Sequence, residues 1–443
     1  MSVVLVASPI GDPCDYQLVK YYIEKIEGEK RSVKELRRRY SYTGAALKHF
    51  ASEFWEDPKV VDALYIAPIS LALKTCRDRR IDAFDNFLKL IKSKGAIGYD
   101  DLAKIAREYV EMLEPETYGK VVVVPALLTS MRGGRLYTFV GGEEALNAAL
   151  AIVVKSVYQK LKELRGERVV ILLDTTHGLN YMVPYVVEGV DLAASLYYLT
   201  LEKGEVTVWR YNSDPIEEGV ETAKLHLVDV TELTEQAAWS YIHKYVTHRA
   251  CESLDDSIRY MLTSAFLASL GALPVAKWIA RKSSAVATRD VEGLAYTIEE
   301  GKDSVRLKLA SEAKNLDIAV FATIWREVIE KLGTGKLPQP GRSILENEIT
   351  ELKKCAEDED KCGGIHKHYY NSEGCRNTED ILDRGKYRDF VAHGGLICTK
   401  DYQVKFRKDG EACLISDGIC VDIEGDDRKV VDVVWSELCG RKR

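Results

Sequence analysis

The residues whose types and spacing best suit chemistry lie near the C-terminus. In Arg388-Asp389-Phe390-Val391-Ala392-His393, followed by Gly394-Gly395, a guanidinium precedes an imidazole by five positions. Such a pair suits RNA cleavage without a metal. The substrate's own 2′-hydroxyl would attack the neighbouring phosphate, with His393 as general base or acid in its natural pKa range. Arg388 would hold the charge that builds on the phosphate through its bidentate fork. Asp389 would orient either partner, and the product would be a 2′,3′-cyclic phosphate. On an ideal helix the two side chains stand about 140° apart, so one helix does not aim both at one point. Two copies facing each other across a two-fold axis would enclose a groove lined by both pairs. The alternative is structural: a histidine at a helix end, interacting with the helix dipole beside a surface arginine.

A second group of polar residues lies in the first half. Ser8-Pro9-Ile10-Gly11-Asp12 follows a short apolar run. Asp174-Thr175-Thr176-His177-Gly178-Leu179-Asn180-Tyr181 follows another. The latter packs two hydroxyls, an imidazole, a glycine and an amide in front of a helical stretch. Free backbone N–H groups and the positive end of a helix dipole suit phosphate oxygens. Thr175, Thr176 and Asn180 add side-chain bonds to phosphate, ribose or a base edge. In the plainer reading, Asp174 and the threonines cap the next helix. A dinucleotide coenzyme is not indicated, because no G-x-G-x-x-G follows the first apolar run. Ser130-Met131-Arg132-Gly133-Gly134-Arg135 is expected at the same end, where it would bring cations to a phosphate ring or else remain a solvated basic loop.

Seven of the ten cysteines fall late: Cys355, Cys362, Cys375, Cys398, Cys413, Cys420 and Cys439. Cys355, Cys362, His366, His368 and Cys375 can be read as a zinc site, but no C-x-x-C pair occurs. Disulfides among the seven are the first expectation, ordinary buried thiols the next, and no metal is assigned. Scarce Gln and Asn beside abundant Lys, Arg and Glu lean towards a thermophile, whose cytosol tolerates disulfides.

The elements expected to position these residues change character along the chain. Apolar runs at Val3–Ser8, Ala63–Ile69, Lys120–Leu128, Arg168–Asp174, Ala194–Thr200 and Glu205–Tyr211 read as strands, the last two as an antiparallel hairpin around Lys203-Gly204. Tyr16–Glu27, Asp82–Lys92, Tyr99–Leu113 and Glu143–Leu164 read as helices. Such alternation indicates an α/β Rossmann-like domain with a mostly parallel sheet covered on both faces, which binds ligands beyond the carboxyl ends of its strands. From Thr231 to Leu332 the period is helical, as in Gln236–Arg249, Leu254–Leu270, Pro274–Arg281 and Leu316–Leu332. Gly333–Gly341 reads as a connector, Ile344–Asp358 and Asn377–His393 as further helices, and Tyr402 to Trp435 as two to four short strands.

The net charge of -7 excludes a general nucleic-acid coat, so a nucleic acid would be met in a local site. No run is long and apolar enough to span a bilayer and no secretory signal is visible, so a cytoplasmic protein without a membrane partner is expected.

An N-terminal sheet ending in DTTHGLNYM and a C-terminal helical region carrying RDFVAHGG together resemble the CRISPR-associated CARF–HEPN ribonucleases of type III systems, in the Csx-one branch. The resemblance implies a CARF nucleotide-sensing domain over 1–215 and a helical HEPN domain over 216–443. In the latter, an insertion around 334–376 and short strands around 402–435 depart from a minimal helical bundle. It implies a homodimer or an oligomer of dimers whose CARF halves bind a cyclic oligoadenylate, the tetra-adenylate first, as allosteric activator. It implies a composite HEPN site that cleaves single-stranded RNA without a catalytic cofactor. Carried over residue by residue, Arg388 and His393 are catalytic, while Ser8–Asp12 and Thr175–Asn180 bind the ring. Two other readings stay open: a non-enzymatic ligand sensor or transcription regulator, and a CARF half that cleaves its own ring through Thr175, Thr176 or His177.

Overall fold

A computed structural model of the chain describes residues 2–55, 58–93, 96–176, 182–216, 219–249, 254–283, 293–337, 343, 347, 402–407 and 420–440. These fall into two compact units. The first comprises Met1–Tyr198, Lys203–Leu233 and Thr288–Val320; the second comprises Leu199–Glu202, Thr234–Ala287 and Phe321–Arg443.

The first unit is built on an eight-stranded sheet. In chain order its strands are β1 (Ser2–Pro9), β2 (Val19–Glu27), β3 (Lys30–Tyr40), β4 (Pro58–Pro68), β8 (Val121–Val124), β11 (Arg168–Asp174), β12 (Glu205–Ser213) and β13 (Thr222–Glu232). Across the sheet the order is β3-β2-β13-β12-β11-β1-β4-β8. β1 pairs in parallel with both β11 and β4, β4 with β8, and β11 with β12. Every residue of β1 is buried, and an unbroken run of Val and Leu reads that way when helices cover both faces. Those helices are α1 (Thr43–Phe54), α3 (Tyr99–Leu113), α4 (Glu143–Leu164) and α5 (Met182–Thr200). Two-residue strands β5 (Thr75–Cys76) and β6 (Ile81–Asp82) lead into α2 (Ala83–Ser93).

A second sheet of the same unit has the order β7-β14-β15-β10-β9, from β7 (Ala96–Gly98), β9 (Leu128–Arg132), β10 (Arg135–Val140), β14 (Ala295–Glu300) and β15 (Ser304–Leu309). Chain from beyond residue 288 therefore completes a unit that the sequence suggested would end near residue 215. The strands announce themselves by period two: Val305, Leu307 and Leu309 are buried while Arg306 and Lys308 are exposed.

Three elements of this unit differ from the expectation. Tyr16–Glu27 is not a helix; Val19, Tyr21 and Ile23 are buried at alternate positions of β2, and aromatic and β-branched residues fit a pleated surface. Ala194–Thr200 is the last part of α5, not a strand. A short apolar run cannot separate a buried helix from a strand; its continuity with Met182 decides. β12 accordingly pairs in parallel with β11, because α5 supplies the crossover a parallel pair needs.

The second unit holds α6 (Glu235–Arg249), α7 (Asp256–Ser269), α8 (Leu273–Lys282) and the greater part of α9 (Leu316–Lys331). Trp325 is its centre: fully buried, it packs edge-on against Trp239 at 6.0 Å and donates from Nε1 to Ser264 Oγ at 3.0 Å. β16 (Tyr402–Arg407) and β17 (Cys420–Gly425) form an antiparallel pair. The tail expected to be entirely strand ends instead in helix α10 (Asp427–Gly440). Val430, Val431, Val434 and Leu438 form its buried stripe, a helical spacing. Arg259 of α7 meets Asp432 at 2.8 Å, and the Tyr260 hydroxyl donates to Asp427 at 2.7 Å.

Candidate functional site

The site begins with the way β1 sits in the sheet. From β1 the chain first makes the β2–β3 pair at the far edge; the parallel strands then run to β4 and β8 on one side of β1 and return to β11 and β12 on the other. The order of the parallel strands thus reverses between β1 and β11, and such a reversal is where open α/β sheets bind ligands. Ser8–Asp12 and Thr175–Thr176 both leave the sheet here.

Asp174 ties the two segments together. Its Oδ2 accepts from the Ser8 hydroxyl at 2.7 Å and from the Thr43 hydroxyl, and its Oδ1 accepts from the Thr176 N–H at 2.9 Å. Asp174, Ser8 and Thr43 are all fully buried. A buried carboxylate is tolerated because these donors replace its water. The bond to Thr176 two residues on is an Asx turn, so Asp174 shapes the start of the segment. Gly44 lets α1 come this close: a Cβ there would lie 2.5 Å from Ser8 Oγ.

Thr175 and Thr176 are bound to β12. The Thr175 N–H and hydroxyl both donate to the Tyr211 carbonyl, at 2.9 and 2.8 Å. Thr176 Oγ1 accepts from the Ser213 N–H at 2.9 Å. That bond leaves the Thr176 hydroxyl its own proton to donate, while the Thr175 hydroxyl retains only lone pairs.

The β1 segment is held as firmly. Pro9 and Ile10 are buried, and the Ile10 N–H donates to the Ile66 carbonyl at 2.8 Å. The Gly11 N–H donates to Tyr16 Oη at 2.6 Å. Asp12 Oδ1 accepts from the Cys14 N–H at 3.1 Å and from the Tyr109 hydroxyl at 2.8 Å; Lys74 Nζ lies 2.9 Å from Oδ2. A disulfide joins Cys14 to Cys76 with 5.5 Å between Cα atoms, fastening this segment to the strand beside Lys74. Burial pushes the Tyr16 hydroxyl far above its ordinary range, against the Gly11 bond. Burial does the same to Tyr109, aided by Asp12 and opposed by the Arg132 charge. Both phenols are thus neutral hydrogen-bonding groups at any physiological pH.

Ser130, Arg132 and Gly133 do not form a loop at the end of β8. Ser130 and Arg132 lie in β9, where Ser130 faces Tyr137 and Arg132 faces Arg135. Gly133 and Gly134 make the two-residue turn, both with positive φ (55° and 78°), as a type I′ hairpin requires. The Arg132 charge nonetheless acts on Tyr109, whose hydroxyl donates to Asp12. His177, Gly178 and Asn180 lie outside the described residues, as do Arg388, Asp389 and His393.

Thr43, Lys74, Tyr109 and the Cys14–Cys76 link were not anticipated. Two early cysteines standing apart from the late cluster were the one sequence signal. Of that cluster, Cys439 is disulfide-bonded and Cys420 opens β17; Cys355, Cys362, Cys375, Cys398 and Cys413 lie outside the described residues.

Residues 5–215 match the family model described as CRISPR system endoribonuclease Csx1, CARF domain. The match runs from within β1 to just past β12 and takes in both segments that leave the switch point. It supports a CRISPR-associated ligand sensor of the Csx1 type, and the mostly parallel sheet agrees with a Rossmann-like CARF domain. No curated protein matches the chain. Among the described residues no helix is long and apolar enough to cross a membrane.

Proposed function

We propose that the protein is an endoribonuclease of type III CRISPR antiviral defence, switched on when a cyclic oligoadenylate binds its CARF domain. The observation that carries this reading is the CARF match over residues 5–215, the part that contains the switch-point segments. A ring of phosphates needs N–H and hydroxyl donors in a preset arrangement. The Thr176 hydroxyl keeps a proton for this purpose, and Asp174 fixes the turn that presents it. Gly11, with Asp12 neutralised by Lys74, borders the same end of the sheet.

The catalytic part of the reading rests on Arg388, Asp389 and His393. His393 exchanges the proton of the attacking 2′-hydroxyl, Arg388 stabilises the phosphate, and a homodimer brings two copies of the pair together. No metal enters this chemistry. The test is a fluorescent single-stranded RNA assay with cyclic tetra- and hexa-adenylate, with and without a chelator. Cleavage should rise with one ring, persist in the chelator and vanish in His393→Ala and Arg388→Ala. Ring binding without RNA cleavage would leave a sensor that regulates another molecule.

A further inference from the structure

We propose that the basic outer edge formed by β3 is a docking surface for single-stranded RNA. β3 is the last strand of the eight-stranded sheet on its side, so among the described residues one of its edges has no partner strand. Its eleven residues, KRSVKELRRRY, carry six cations and one acid in a chain whose net charge is -7. The single acid, Glu35, is neutralised by Lys20 of β2. Arg31, Lys34 and Arg39 meet Glu24 at 3.6 Å, Glu27 at 2.9 Å and Glu221 at 3.6 Å. Lys30, Arg37 and Arg38 are exposed and form no salt bridge among the described residues.

The register makes this more than a charged strand. Lys20 faces Arg39 and Tyr22 faces Glu35, so Leu36, Arg37 and Arg38 stand opposite the single residue Tyr21. Leu36 turns inward and is fully buried. The two arginines are thereby driven outward at a bulge. A bulge bends and twists an edge and interrupts the row of backbone groups that an added strand would need. The occupant is therefore read by side chains and not by strand addition, which argues against an extended acidic peptide.

What remains outside these pairs is Lys30 and, about 23 Å along the strand, Arg37 and Arg38 at the bulge, on a backbone whose same-face side chains repeat every 6.7 Å or so. An extended polynucleotide presents its phosphates at a comparable repeat, and a track one strand wide suits one strand of phosphates. Arginine forks on phosphate are strong and indifferent to sequence. The inference rests on the ribonuclease reading only in naming RNA as the polyanion.

The test measures binding without cleavage. Full-length protein, with no cyclic adenylate added, is titrated into a fluorescein-labelled 20-nucleotide oligouridylate at several salt concentrations and followed by anisotropy. The charge-reversed Arg37→Glu/Arg38→Glu protein should bind at least tenfold more weakly. Its plot of log affinity against log salt should be shallower by about 1.4, the value for two lost single-strand phosphate contacts. Arg37→Gln/Arg38→Gln should fall between, and it carries the test if the reversed protein fails to fold. Equal affinity and slope in all three proteins, or no binding by the unaltered one, would overturn the proposal. So would a poly-glutamate of matched charge that competes as well as the RNA. The activated cleavage assay is scored separately: cleavage by proteins that bind equally well would sink this surface and leave the ribonuclease standing.

Discussion

Ser8 and Asp174, 166 residues apart in the chain, share a 2.7 Å hydrogen bond with neither side chain open to solvent. The bond joins the carboxyl ends of neighbouring parallel strands, and the Thr43 hydroxyl completes it from α1. The two segments at the switch point thus share one anchor, and a change at either is felt by both.

Replacing Asp174 by Ala leaves the buried Ser8 and Thr43 hydroxyls and the Thr176 N–H short of an acceptor. Removing a charged acceptor of several buried bonds is expected to cost at least about 3 kcal/mol. Urea unfolding measures it. An unchanged midpoint would show that the carboxylate is not the anchor described.

Gly44→Ala places a methyl 2.5 Å from Ser8 Oγ. Ser8 and, on α1, Ala45 and Ala46 beside Gly44 are buried, so overpacking of about 1–3 kcal/mol is expected, together, on the proposed reading, with weaker ring binding. Gly44→Ala combined with Ser8→Ala should recover part of the stability, because the clash is with the hydroxyl as well as its Cβ.

Reduction tests the Cys14–Cys76 link. It closes a loop of 62 residues, for which chain entropy allows up to about 4 kcal/mol. Thermal unfolding of the unaltered protein should fall with reductant. Cys76→Ser should start lower and lose less. Because Asp12 and Lys74 lie within two residues of the linked cysteines, ring affinity should fall alongside stability.

On the proposed reading, Lys74→Ala leaves the Asp12 carboxylate facing the phosphates of the ring without its counter-ion. Ring affinity is expected to fall about tenfold, or 1.4 kcal/mol, by calorimetry. Asp12→Asn in the same protein should restore part of it.

Glu114 reports on pH. Burial raises its carboxyl above the ordinary 4.5, against the Ser41 hydroxyl bond and the Arg79 charge. The folded state holds the proton more tightly than the unfolded one. Stability from this group is therefore full below pH 4.5 and is lost as pH rises through the raised folded value. Glu114→Gln keeps an acceptor for Ser41 and removes the titration. It should be more stable than the parent at neutral pH, and the gap should close as pH falls below 4.5.

The sequence was most legible where periodicity ran long. α3 and α4 lie where the 3.6-residue pattern put them, residue for residue, and β1 and β11 stand out as unbroken apolar runs. It misled where pattern and partner conflict. β2 carries enough apolar residues to imitate a helix, but its pairing with β3 and β13 exposes the alternation. α10 imitates strands because its valines come in pairs. At the site, the two switch-point segments were readable because each follows a strand. Thr43, Lys74 and Tyr109 were not, because each arrives from a distant element and acquires a role only when the chain closes around Asp174 and Asp12.

The first unit is discontinuous: β14 and β15, near the middle of its smaller sheet, come after residue 288, beyond three helices of the second unit. During synthesis the sensing half therefore cannot finish folding until residue 309 has cleared the ribosome, some seconds after its matched region emerges. Nascent protein in that interval exposes the flanks of β7 and β10. Shortened versions ending at 215 or 233 would be trapped in that same unfinished state and should aggregate, whereas a fragment ending after Val320 would possess both sheets.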